Sequence, residues 1–323
     1  MIRHSWALLI LVGIGCTKGG GGSNNFSLAP EQTGFAQELE YNNKIDVLWV
    51  IDNSPGMGDY QVKIAEQADS LINFFVERGF DFQMAATTTD MRSSGERGKF
   101  LGIPSILTPQ TPGLVDLFRA RIAPGNSGSG TERGLEAMKL ALTPGQHTST
   151  NGGFVRSDAA LVIVFVSSED DWSVGNSIDY IDFLNNLKPI FEFGAQGWLA
   201  NYIGIIEDST ECRTLGEFSD LGYRYMDIVG ASNGVNQSIC SSELRTALEN
   251  IRERISGMIM EYKLAREPVA ETIVVTIDGV VVPNDAVNGW TYHPDRMLIR
   301  FHGSWIPKAN ETVKIDYQPL RAK

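Results

Sequence analysis

Four short polar stretches in this sequence hold residue types that bind hard cations. They are Asp52-Asn53-Ser54-Pro55-Gly56, Thr87-Thr88-Thr89-Asp90, Gly128-Ser129-Gly130-Thr131 and Ser167-Ser168-Glu169-Asp170-Asp171. Each offers hydroxyls, and three of the four offer carboxylates. Magnesium is held in this way, by one or two carboxylates with several waters retained, which leaves room for a partner to add an oxygen. Other chemistries fit less well. A phosphatase of the haloacid dehalogenase type needs a second Asp two residues after its nucleophile, and here Ser54 stands two after Asp52. A phosphate loop needs a lysine after its last glycine, and Thr131 follows Gly130. The histidines His147, His293 and His302 have no zinc-ligand spacing and stand beside no Ser or Cys in a hydrolase pattern. The chain therefore reads as a non-enzymatic binding protein.

The elements that must position these stretches are legible as an alternation. Lys44 to Ile51 is a nearly continuous apolar run rich in branched residues, which predicts a strand buried on both faces. A helical pattern follows from about Tyr60 to Glu77. Phe80 to Thr89, Ala159 to Val166 and Trp198 to Ile206 predict further strands, with Tyr223 to Val229 as one more. Leu114 to Ile122, Glu132 to Leu142, Ser177 to Phe191 and Ser242 to Leu264 predict helices. Strands alternating with helices imply an α/β fold with a doubly wound, mostly parallel sheet covered on both faces. In such a sheet ligands bind outside the carboxyl ends of the strands, where all four polar stretches would gather.

The character changes after Pro268. Asp278-Gly279 between apolar runs signals a hairpin, because the pair accepts the positive φ of a type I′ turn. Trp290 to Tyr292, Met297 to Phe301 and Val313 to Tyr317 continue the alternation, so residues 268–321 predict a small β-sandwich-like module. Trp290, Tyr292 and Phe301 are expected in its core rather than on a sugar-binding platform.

The strand-Asp52-Asn53-Ser54 turn and the order of elements resemble the von Willebrand factor A domain, over roughly residues 41–264. The resemblance implies a metal-ion-dependent adhesion site, in which an Asp-x-Ser-x-Ser turn, a loop threonine and a later acidic residue hold a divalent cation that takes a carboxylate from a protein ligand. Carried over by position, the ligands are Asp52, Ser54, Thr131 and one of Ser168, Glu169 or Asp170, with Mg²⁺, Mn²⁺ or Ca²⁺ as the ion. The third position of the turn is Gly56 instead of Ser, and Ser168 stands where the family's acid falls if that acid directly follows the strand's hydroxyl residue. The alternative is a scaffolding protein that keeps the fold without metal. A nearer resemblance is to lipoproteins of delta-proteobacteria and their predatory relatives, which join this domain to a β module of the Gly-Trp-x-Tyr type, matched by Gly289-Trp290-Thr291-Tyr292. Many members place a cysteine after the acidic triplet, where this chain has Trp172.

The first fifteen residues hold Arg3, an apolar run from Trp6 to Ile14 and then Gly15-Cys16, which predicts a secretion signal too short to span a membrane. Residues 16–40 would form a flexible tether, and 25–43 read as irregular. A cysteine followed by such a tether resembles a lipoprotein signal, although Gly13 replaces the usual aliphatic residue. The resemblance implies lipidation of Cys16 and, with Thr17 next, anchoring in the outer membrane. Cys212 and Cys240 are then an even pair in an exported chain, either a disulfide or two buried thiols. A formal net charge of −12, dispersed along the chain, disfavours nucleic acid and anionic lipid as partners. Membrane association would come from the lipid anchor alone.

Overall fold

The computed structural model describes residues 35–40, 43–189, 197–214, 220–241, 244–308 and 311–320. The predicted signal segment, Cys16 and the tether up to residue 34 lie outside the described residues. In chain order the strands are β1 (Phe35–Glu40), β2 (Lys44–Ile51), β3 (Asp81–Thr88), β4 (Ala160–Ser167), β5 (Trp198–Gly204), β6 (Asn236–Ser238), β7 (Glu261–Lys263), β8 (Val274–Ile277), β9 (Val280–Val281), β10 (Trp290–His293), β11 (Leu298–Phe301) and β12 (Thr312–Tyr317). The helices are α1 (Gly58–Ala65), α2 (Ala68–Glu77), α3 (Leu114–Ile122), α4 (Gly134–Leu142), α5 (Thr148–Asn151), α6 (Ser177–Leu187), α7 (Thr210–Thr214), α8 (Tyr223–Ala231) and α9 (Leu244–Met260).

Five strands form one all-parallel sheet in the order β3-β2-β4-β5-β6. The continuous apolar runs in β2, β4 and β5 have this cause, since both faces of the sheet are covered. Ile45, Val47, Trp49 and Ile51 of β2 face a core built with α1, α2, α3 and α9. Leu48 and Val50 face a second core built with α4, α6 and α8. Full burial of each such aliphatic side chain contributes roughly 1.5–3 kcal/mol. Among the described residues no helix is long and apolar enough to cross a membrane.

Two small antiparallel sheets, β1-β12-β8-β9 and β10-β11-β7, make the β region. Asp278 (φ 48°) and Gly279 (φ 80°) turn between β8 and β9 as the sequence predicts. Trp290 and Phe301 are buried, and their core is continuous with that of α9 and one face of the parallel sheet.

Several elements differ from the sequence reading, among them the one helix expected from Tyr60 to Glu77, which is two, α1 and α2. Tyr223 to Ala231 is helix α8, not a strand, because Tyr225, Ile228 and Val229 recur at helical spacing and bury together. Phe35 to Glu40, read as irregular, is strand β1, whose pairing comes from β12 at the far end of the chain. The helix from Ser242 stops at Met260, and Glu261–Lys263 continues as β7 beside β11.

Cys212 and Cys240 form a disulfide, with Cα atoms 5.1 Å apart and a sequence separation of 28. It ties α7 to the chain leaving β6. A closed loop of this size stabilises by about 3–4 kcal/mol in the chain-entropy account.

Candidate functional site

The first strand of the sheet in chain order, β2, lies between β3 and β4, so the connections leave β2 and β4 in opposite directions. Their carboxyl ends form the switch point at which doubly wound sheets bind ligands. Asp52 sits there. Its N–H donates to the Val166 carbonyl (2.8 Å), which extends the ladder by one residue and fixes its backbone. Its side chain is fully buried; Oδ1 accepts the Ser54 N–H (2.8 Å) and Oδ2 accepts the Ser167 hydroxyl (2.9 Å).

Gln61 of α1 holds two of the surrounding loops together. Its Nε2 donates to the carbonyls of Asp52 (2.8 Å) and Gly125 (2.9 Å), and its Oε1 accepts the Gly125 N–H (3.0 Å). The Gly128 N–H donates to the Asn53 carbonyl (2.7 Å), and a Cβ at Gly128 would lie 2.1 Å from Asn53 Oδ1. Only glycine permits that approach.

The second buried acid is Glu132, which the sequence reading had placed only in the first turn of a helix. It is fully buried, and Thr89 Oγ1 donates to its Oε2, while Oε1 receives no protein donor and the carboxyl lies within hydrogen-bonding reach of Asp52. Burial first, then the Asp52 carboxylate beside it and Glu169 further off, push the Glu132 carboxyl up to about 9. Glu169 is half-buried and also raised, by burial and then by Asp52 and Asp220. These three acids share one acidic environment.

The other residues expected at the site are placed as follows. Ser54 and Ser168 are buried at the same edge, and Thr131 is exposed, its N–H bonded to Ser129 Oγ (3.0 Å). Asp170 Oδ1 accepts the backbone N–H groups of Asp171 (2.8 Å) and Arg224 (2.9 Å). Gly56 has φ 110°, a backbone state that a serine would adopt only with strain, so the turn departs from the Ser pattern in its backbone as well as in its side chain. Glu132 and Gln61 are the site residues that sequence reasoning did not bring to this edge, whereas Thr89 and Ser167 lie within its polar stretches without a role of their own. A Glu in a first helical turn and hydroxyls at strand ends are ordinary there, and they carry no separate signal.

Among the described residues no group of three His, Cys, Asp or Glu side chains is arranged to hold a metal ion. Two buried carboxylates, with hydroxyls bonded to both, are nonetheless the donor types that a divalent cation takes.

No family model matches the sequence, and no curated protein matches it. Solved structures do. Proximal thread matrix protein 1 from the mussel byssus, with a zinc-occupied MIDAS motif, matches at 14% identity and a TM-score of 0.45, over 69% of this chain and 48% of that one. A von Willebrand factor type A protein from Catenulispora acidiphila matches at 12% identity and a TM-score of 0.38, over 90% and 66%. The pilus adhesin SpaC from Lactobacillus rhamnosus GG, in its open conformation, matches at 9% identity and a TM-score of 0.44, over 87% and 39%. This chain thus spans about half the length of the mussel protein.

Proposed function

We propose that this chain is a non-enzymatic, protein-binding module of the von Willebrand factor A type, which takes a carboxylate of its protein partner through a divalent cation. Asp52 and Glu132 would hold the ion, with Ser54 and Glu169 at its margin. The cation would supply a positive charge with open positions for the partner's oxygen. The observation that carries this reading is the Glu132 Oε1, without a protein donor and buried beside the Asp52 carboxylate. A buried oxygen without a donor costs about 1–3 kcal/mol, ionising Glu132 beside the Asp52 carboxylate costs more, and a cation offsets both.

Calorimetry and thermal melts of the full chain with Mg²⁺, Mn²⁺ and Ca²⁺ test it. At a free metal concentration a hundredfold above Kd the expected stabilisation is about 2.7 kcal/mol, absent from Asp52→Ala. A second reading, a metal-free scaffold, is favoured by a specific feature: both Asp52 oxygens already accept hydrogen bonds from the protein. No heat and no thermal shift with any of the three metals would select the scaffold.

The same proposal places the protein at the cell envelope, held through lipid on Cys16. Labelling with a palmitate analogue should tag the wild type and leave Cys16→Ala unlabelled. Equal labelling of the two would remove the anchor from the reading.

A further inference from the structure

His293 and His302 have no metal-ligand spacing in sequence, yet they meet across the β10-β11 hairpin. Register brings this about. Thr291 stands opposite Arg300, and beyond the paired Trp290 and Phe301 the His302 N–H donates to the Gly289 carbonyl (2.8 Å), so the pairing runs past the strand ends. Side chains alternate across a strand, so Thr291, His293, Arg300 and His302 share one face, while Trp290, Ile299 and Phe301 are buried on the other. On the shared face the Thr291 hydroxyl oxygen lies 3.1 Å from His293 Nε2 and 2.8 Å from His302 Nε2. A hydroxyl has one hydrogen and can donate to only one of these nitrogens, so at least one ring carries a proton on Nε2 and donates to Oγ1.

The frame around the pair is fixed. Asn288 Oδ1 accepts both the N–H (2.8 Å) and the hydroxyl (2.7 Å) of Ser304, which ties down the turn directly after His302. Asp285 Oδ1 accepts the N–H groups of Val287 (2.8 Å) and Asn288 (2.7 Å), which holds the loop before β10. Asp285 is also close enough for its charge to act on His302. The Arg300 guanidinium, which would otherwise repel a cation here, is paired with the Glu261 carboxylate. Both imidazoles are partly exposed, so an ion reaches them from solvent.

We propose that His293 and His302 bind a borderline divalent ion, Zn²⁺, Cu²⁺ or Ni²⁺, through both Nε2 atoms, with water in the remaining positions. Imidazole nitrogens suit these ions, whereas Mg²⁺ and Ca²⁺ take oxygen, so the site is chemically distinct from Asp52 and Glu132 and does not depend on the cation reading there. Zinc takes imidazole at about 2.0–2.1 Å, which sets two such nitrogens about 3.4 Å apart around a tetrahedral ion. Nitrogens already gathered on one oxygen reach that separation by side-chain rotation. Two protein ligands make an open site, not the closed four-ligand kind that folds a domain.

Copper(II) electron paramagnetic resonance tests it on the full chain carrying His4→Ala, with Mg²⁺ saturating, because imidazole nitrogens split the copper signal and oxygen ligands do not. The spectrum should show coupling to two nitrogens. In calorimetry, His293→Ala and His302→Ala should each lower the Zn²⁺ affinity by about tenfold or more, since even the outer-shell partners of a ligand are worth that factor. His147→Ala should leave it unchanged. The copper spectrum of the unaltered pair does not depend on how the variants fold. Oxygen ligands only, or a single nitrogen, in that spectrum overturns the site, and so does a Zn²⁺ affinity that stays within about twofold when both histidines are replaced.

Discussion

Replacing Arg156 with alanine destabilises the protein by about 3–5 kcal/mol, the cost expected when a buried acid loses its hydrogen-bonded cation, with Lys188 left as the remaining positive charge that favours the ionised carboxylate. Asp46 lies on β2 with no exposed surface, at the amino end of the sheet, opposite the candidate site. Its Oδ1 accepts from Arg156 Nε (2.7 Å) and its Oδ2 from the Arg156 backbone N–H (2.8 Å). The same guanidinium donates to the Asp81 carboxylate and carbonyl (both 2.8 Å) and to the Ile45 carbonyl (3.0 Å), which joins β2, β3 and the entry to β4. Burial already pushes the Asp46 carboxyl up, against the pull of Arg156. Without the guanidinium the carboxyl rises further, so the folded state binds a proton that the unfolded state releases above its ordinary value. Stability of the variant must then fall as pH rises, and the loss measured by urea denaturation should be larger at pH 8 than at pH 5. Adding Asp46→Asn to Arg156→Ala should recover part of the loss at pH 8. A loss under about 1 kcal/mol that is the same at both pH values would contradict this account.

Glu132→Gln should act in the opposite direction in the absence of metal. With its folded value near 9 and its unfolded value near 4.5, Glu132 holds a proton in the folded protein across that window. Below the lower value both states are protonated and nothing is lost. Between the two, stability falls as pH rises, by up to about 1.4 kcal/mol per unit for one such group. Chelator-treated wild type should therefore lose on the order of 2–4 kcal/mol between pH 5 and pH 8 from this group, and the glutamine variant should not. Saturating Mg²⁺ should flatten the wild-type curve, because the cation takes the place of the proton. If the variant keeps the wild-type slope in chelator, the buried Asp52 and Glu132 pair is not its source.

How much of this was readable in advance depends on whether the determining contacts are local. The runs at Lys44 to Ile51 and Ala159 to Val166 announce themselves because a strand buried on both faces needs apolar residues at every position. The Asp278-Gly279 turn is legible because its backbone demands residues that tolerate positive φ. The hydrophobic content of Tyr223 to Val229 suits strand and helix equally, and its packing on Phe165 and Tyr202 decides for helix. Asn236–Ser238 is too short and polar to signal a strand, and only β5 beside it makes it one. At the site, Asp52 could be found because it ends a buried strand. Glu132 could not, because the helix read from Glu132 begins only at Gly134, and nothing within a few residues shows that the loop before α4 turns that carboxylate inward while Thr131, its neighbour, faces solvent. The members of the acidic triplet have separate tasks that their sequence does not distinguish: Asp171 caps α4, Asp170 receives the start of α8, and of the three Glu169 adds to the field around Asp52.

The pairing of β1 with β12 sets an order of events for the folding chain. Among the described residues β12 is the only strand beside β1, and it follows every strand of the parallel sheet in sequence. Phe35 to Glu40 must wait unpaired while the parallel sheet has all its strands in hand, and closing so long a loop is slow. A ribosome that stalls before Thr312, or a protease that removes the C-terminal strand, leaves both β1 and β8 as bare edges, the kind of surface through which chains aggregate. Pairing of residues 35–40 thus depends on residues 312–317, and protection of residues 35–40 from hydrogen exchange would report that β12 is in place.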